Sequence, residues 1–135
     1  MNKLLAPILV LVITASAGIA TAGWTHKMSA YAPAVKVSTT GVANVTIEAA
    51  ADFSLDTEQP PRISVIAPEG IVIEKIRRAP TADIKADGTR TEIEIAFTAA
   101  KKGRHALTAT ADFTVCSARY CEPATETLSF EIDVR

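Results

Sequence analysis

Cys116 and Cys121 are the only cysteines of the chain, five positions apart in Phe113-Thr114-Val115-Cys116-Ser117-Ala118-Arg119-Tyr120-Cys121-Glu122-Pro123. Two thiols at that spacing have two chemistries open to them. They can close into a disulfide that restrains a short loop, or into one that exchanges with the thiols of other proteins. The size of the restraint bears on the choice. Closing a loop of about six residues restricts the unfolded chain by only ~2 kcal/mol, against ~3 for fifteen residues and nearly 5 for a hundred. A domain in need of a brace gains more from joining distant segments. Arg119 favours a thiolate and Glu122 opposes one, and either also fits as a solvated loop charge.

The start of the chain bears on the compartment. Residues 1–22 carry a short basic start (Lys3), an apolar run over 4–13 and a small-residue stretch ending Ala20-Thr21-Ala22, which fits an A-x-A cleavage site before Gly23. The apolar run is far shorter than the ~20 residues of a spanning helix. The expectation is a signal peptide over 1–22, a single domain over 23–135, and a periplasmic or secreted location where a disulfide persists. The mature 113 residues hold 13 basic and 15 acidic side chains, a net charge near −2. The one basic cluster, Lys101-Lys102-Gly103-Arg104-His105, reads as a turn, so the chain lacks the electrostatic footprint of a nucleic-acid binder.

Strands must position the pair. Period-2 alternation recurs in Val45-Thr-Ile47-Glu-Ala49-Ala-Ala51-Asp-Phe53, Ile93-Glu-Ile95-Ala-Phe97, Leu107-Thr-Ala109-Thr-Ala111-Asp-Phe113-Thr-Val115 and Leu128-Ser-Phe130-Glu-Ile132-Asp-Val134. Shorter candidates lie at 34–38, 63–66 and 71–76. Turn chemistry separates them at Gln59-Pro60-Pro61, Ala67-Pro68-Glu69-Gly70, Ala79-Pro80, Ala86-Asp87-Gly88 and Lys102-Gly103. No helical stripe emerges. About seven strands over 113 residues predict an all-β fold, an antiparallel immunoglobulin-like β-sandwich. The tryptophan between two distant cysteines that marks antibody domains is absent.

The two long alternating runs fix where the sulfurs point. If Leu107, Ala109, Ala111, Phe113 and Val115 face the core, Cys116 faces outward with Thr110, Asp112 and Thr114. Counting back from Val134, Ile132, Phe130 and Leu128 places Cys121 on the outward set as well, provided Pro123 leaves the strand regular. Residues 117–120 then form a hairpin loop. Cross-strand neighbours, with Cβ atoms ~4.5–5.5 Å apart, are a little wider than the ~3.8 Å a disulfide prefers, so a bridge is feasible there with some strain. Outward-facing, short-loop disulfides are the kind that exchange. Many secreted domains nevertheless carry hairpin disulfides that only restrain a loop.

Other chemistries find little support. A metal site needs more than two cysteines, and recruiting His105 or His26 has no motif behind it. His105 reads as an exposed residue at a strand start and His26 as part of a flexible mature N-terminus. There is no Gly-x-Ser-x-Gly elbow and no glycine-rich phosphate loop, and no cofactor is expected. Trp24 and Tyr31 read as covers for one end of the sandwich.

The segment Ala111-Asp112-Phe113-Thr114-Val115-Cys116-x4-Cys121-Glu122-Pro123, followed by an alternating strand over 125–134, resembles the N-terminal periplasmic domain of DsbD-type thiol:disulfide interchange proteins. The resemblance covers about 25 residues. It implies an immunoglobulin-like sandwich in which Cys116 and Cys121 are the redox pair. That pair would take electrons from a membrane partner domain and pass them to periplasmic acceptors, and Pro123 would be the proline that follows the second cysteine. In the family a cap loop shields the pair, and its counterpart here is sought in 52–62. The membrane and thioredoxin-like domains usually fused to such a module are not in this chain, and Glu122 stands where many relatives have an apolar residue or proline.

The resulting expectation is an exported thiol:disulfide exchange module with protein thiol/disulfide partners, Cys116 and Cys121 carrying the chemistry. The competing expectation is a non-enzymatic secreted immunoglobulin-like binding or structural module with a static hairpin disulfide.

Overall fold

The computed structural model describes residues 19–22, 24–56, 58–78 and 88–135. Nine strands are placed in them: β1 (Ile19–Ala22), β2 (His26–Tyr31), β3 (Thr40–Ala49), β4 (Ser54–Leu55), β5 (Arg62–Ile66), β6 (Ile71–Arg78), β7 (Arg90–Ala99), β8 (Gly103–Cys116) and β9 (Cys121–Val134). No described residue is helical. One sheet runs β1-β2-β3-β7-β6. In the other, β8 lies between β9 on one side and β4 and β5, end to end, on the other. Every ladder is antiparallel. The chain is an all-β immunoglobulin-like sandwich.

Alternation builds the core. Leu107, Ala109, Ala111, Phe113 and Val115 of β8 and Leu128, Phe130, Ile132 and Val134 of β9 are buried. They meet Met28 and Ala30 of β2, Val45 and Ile47 of β3, and Ile93, Ile95 and Phe97 of β7 from the opposite sheet. Successive side chains of a strand point to opposite faces, so one half of each run is removed from water and the other half is left polar. At Gly41 of β3 the cross-strand Phe97 and the segment before β3 leave no room for a side chain. A Cβ there would lie 2.7 Å from the Phe97 ring and 2.8 Å from Val35.

Three elements differ from the sequence expectation. Residues 34–38 form no named strand, and at Ser38 a left-handed backbone (φ 65°) turns the chain. Their alternation serves instead a single parallel bridge, Val35 to Val134. The run from Val45 stops at Ala49. Asp52 is left-handed (φ 69°) and Phe53 N–H donates to the Ala50 carbonyl at 3.0 Å, which folds a turn where the alternation would have continued. The mature N-terminus, expected to be flexible, is strand β2, paired with β3 from His26↔Ala49 to Tyr31↔Asn44.

Of the expected signal peptide, residues 1–18 lie outside the described residues. Ile19–Ala22 pair with β2 as β1. Trp24 and Tyr31 stand 76% and 50% exposed, so they do not cover an end of the sandwich. Trp24 instead sets its ring edgewise on Phe53, 5.6 Å between centroids.

Candidate functional site

The β8–β9 hairpin carries the pair. Its register runs without a shift from Gly103↔Val134 to Cys116↔Cys121. Ser117 N–H donates to the Tyr120 carbonyl at 2.8 Å, which makes that pair the hydrogen-bonded position closing the loop. Pairs alternate in an antiparallel ladder, so Cys116↔Cys121 and Thr114↔Pro123 are non-hydrogen-bonded positions. The missing N–H of Pro123 therefore faces away from β8, toward the outer edge of β9, where a proline costs no ladder bond. That is why Pro123 leaves the strand regular.

The two sulfurs are joined in a disulfide whose Cα atoms are 4.0 Å apart. Both cysteines lie on the outer face, in the phase that their strands predict. Their exposures differ. Cys116 is half-buried, with Cys121 on one side and Ser54 of β4 paired to it on the other. Cys121 is exposed, at the start of a strand that pairs with β8 alone among the described strands. In the loop between them the Ser117 hydroxyl accepts from the N–H groups of Arg119 and Tyr120, each at 3.2 Å, and holds the turn closed. Arg119 is exposed in that loop. Glu122, paired with Val115, lies on the inward phase, opposite to the face of Cys121.

Of the segment 52–62, expected to cap the pair, residues 54–56 run beside it along the β8 edge. Ser54 pairs with Cys116, and Asp56 N–H donates to the Thr114 carbonyl at 3.0 Å. Beyond Asp56 the chain leaves the β8 edge and returns at Arg62, opposite Asp112. Residues 58–62 thereby wall an open cleft of about 580 Å³ over the outer ends of β8 and β9, with Thr114, Pro123 and Thr125 among its lining.

A second constellation escaped the sequence reading. His26 is 8% exposed and Thr25 3%. The Thr25 hydroxyl lies 2.7 Å from His26 Nδ1, and His26 Nε2 lies 2.7 Å from Glu126 Oε1. The imidazole also meets the Phe113 ring edgewise at 5.0 Å. A carboxylate only accepts, so Nε2 carries the hydrogen, and in the neutral ring Nδ1 accepts from Thr25. The order hydroxyl, imidazole, carboxylate is that of an activated nucleophile, but Thr25 is closed off from any substrate. The signal for it was present in β9. Glu126 sits on the inward phase between Ala124 and Leu128, where a charged group needs a buried partner.

His105, near the start of β8, is partly exposed and donates from Nε2 to the Lys101 carbonyl at 2.8 Å. Among the described residues no three His, Cys, Asp or Glu side chains gather as metal ligands.

No protein-family model matches the chain, and no curated protein sequence matches it. Solved structures do. The GAE domain of GGA2p from Saccharomyces cerevisiae aligns with a TM-score of 0.54 and 10% identity, over 86% of this chain and 97% of that one. The yeast GGA1 GAE domain aligns with a TM-score of 0.52 and 11% identity, over 84% of this chain and 98% of that one. At such identities the likeness concerns the fold, and the class it defines is the immunoglobulin-like β-sandwich.

Proposed function

We propose that the Cys116–Cys121 disulfide is a thiol:disulfide exchange centre through which this domain passes reducing equivalents between protein partners, in the periplasm or another compartment outside the cytoplasm. The observation that carries this reading is the position of Cys121: an exposed residue at the tip of a hairpin, at the start of β9, in a loop too short for its closure to stabilise the fold by much.

A thiolate of a dithiol partner attacks Cys121 Sγ. The Cys116–Cys121 bond breaks, its electron pair leaves on Cys116 Sγ, and a mixed disulfide joins Cys121 to the partner. The partner's second thiolate then attacks its own bridged sulfur and releases Cys121. The partner is left as a disulfide and the domain as a dithiol, two electrons richer, with two protons taken from solvent. The reverse sequence reduces the next partner. Attack on Cys121 is favoured over attack on Cys116 because β4 flanks only the latter.

The resemblance of residues 111–123 to the N-terminal domain of DsbD-type proteins supports the same reading and adds a membrane electron donor to it. Donor and acceptor are then supplied by other domains or chains.

The test is the reduction potential of the pair, measured by equilibration with thiol buffers. A value well above about −300 mV supports exchange. A value below it, together with failure of single-cysteine variants to capture any partner, favours a binding or structural module with a static bond.

A further inference from the structure

On the outer face of the β8–β9 hairpin, successive non-hydrogen-bonded pairs are joined side chain to side chain. Thr108 Oγ1 and Ser129 Oγ lie 3.1 Å apart, and Thr110 Oγ1 and Thr127 Oγ1 lie 3.1 Å apart. The Thr125 hydroxyl donates to Asp112 Oδ1 at 2.6 Å. At the end of the row stands the disulfide. One rung is open. Next to the disulfide, Thr114 faces Pro123, a side chain with no donor or acceptor, and the Thr114 hydroxyl has no partner among the described residues. The 580 Å³ cleft lies over this rung, walled by Pro60 and Pro61, with Glu58 and Arg62 exposed at its rim.

Rungs are two residues apart, ~7 Å along the strand. An extended chain whose cysteine engages Cys121 therefore sets the side chain two residues from that cysteine over the Thr114–Pro123 rung. We infer that the cleft docks the segment flanking the partner's cysteine and takes an apolar, best an aromatic, side chain two residues removed from it. Pro60, Pro61 and Pro123 line the cleft with apolar rings. Thr114, Glu58 and Arg62 offer hydroxyl, acceptor and donor groups, none of them engaged in an ion pair among the described residues, for the N–H and C=O of a peptide backbone. Mixed charge at the rim suits a dipolar peptide better than a ligand of one sign. This inference rests on the exchange reading above.

The test uses the oxidised full chain and the rate at which its disulfide opens. The thiols are glycine-rich cysteine peptides carrying Phe or Ala two residues before or after the cysteine, with 2-mercaptoethanol as a reference that has no flanking side chain to place in the cleft. The Phe peptide at one of the two offsets is expected to react roughly tenfold faster than its Ala counterpart, a transition-state preference near 1.4 kcal/mol. Thr114→Trp, which projects into the cleft from an outward strand position, is expected to remove that preference, read as the ratio of the Phe to the Ala rate within the variant. A double Pro60→Ser/Pro61→Ser variant, outside any strand, should weaken the preference in the same way. Equal Phe and Ala rates in a protein that 2-mercaptoethanol opens, or a preference that survives Thr114→Trp, overturns the cleft assignment alone. A disulfide that neither 2-mercaptoethanol nor any peptide opens overturns the exchange reading and this inference with it.

Discussion

His26 Nε2 and Glu126 Oε1, a hundred residues apart in sequence, lie 2.7 Å from one another and join the start of β2 in one sheet to β9 in the other. The bond closes the side of the sandwich where β1 and β2 come nearest to β9. It also explains how a histidine and a carboxylate are accommodated beside Phe113: each satisfies the other where water is scarce, and Thr25 takes the remaining ring nitrogen.

Removing either partner should therefore cost more than an exposed pair would. Glu126→Ala leaves a buried imidazole nitrogen without an acceptor, and a loss of about 1–2 kcal/mol is expected, discounted because the Glu126 side chain is 25% exposed. Glu126→Gln keeps an acceptor oxygen and should lose about half as much. Urea unfolding of the two variants checks both. A Glu126→Ala protein as stable as the parent would show that the contact contributes nothing.

Replacing both cysteines by serine should leave the sandwich folded. The core comes from the inward residues of β2, β3, β7, β8 and β9, and the disulfide lies outside it. The expected cost is ~2 kcal/mol or less, read as a modest fall in Tm with an unchanged β circular-dichroism spectrum. Exchange with thiol partners should vanish. Unfolding of the double variant under ordinary conditions would mark the bond as structural.

The single variants separate the two sulfurs. Cys116→Ser leaves the exposed Cys121 thiol and should trap mixed disulfides with partner proteins readily. Cys121→Ser leaves the half-buried Cys116 beside Ser54 and should trap them far less. Non-reducing electrophoresis of each variant after export reads the difference. Equal trapping, or better trapping by Cys121→Ser, contradicts attack at Cys121.

Where alternation was long and unbroken, the residues could be read directly. The phases of 107–115 and 128–134 place the core of β8 and β9 and the outward direction of both cysteines, since one slip would have turned every side chain over. Alternation misled where backbone conformation overrode it, at Ser38 and Asp52, both left-handed in spite of apolar residues on alternate positions around them. β2 was illegible for another reason. Its inward set is His26, Met28 and Ala30, and the polar member is acceptable there only because Glu126 meets it from a distant strand. No local pattern carries that information. The cleft over Thr114 and Pro123 depends likewise on how 56–62 leaves and rejoins β8.

Ile19–Ala22 have two uses that exclude one another. As the end of a signal peptide they must be extended and accessible to the peptidase, and as β1 they are paired with β2 from Ile19↔Ala30 to Ala22↔Lys27. If export threads an unfolded chain, cleavage before Gly23 removes β1 before the pairing forms and leaves the outer edge of β2 open. The β2–β3 ladder and the His26–Glu126 bond remain when residues 1–22 are gone. A chain of residues 23–135 is accordingly expected to fold. Its β2 amides that face β1 should exchange with deuterium markedly faster than in a chain of residues 19–135, and those facing β3 should not change. The intact mass of the exported protein gives the independent check, with the mature chain expected to begin at Gly23. If 23–135 fails to fold while 19–135 does, β1 belongs to the working domain and the cleavage site must lie elsewhere.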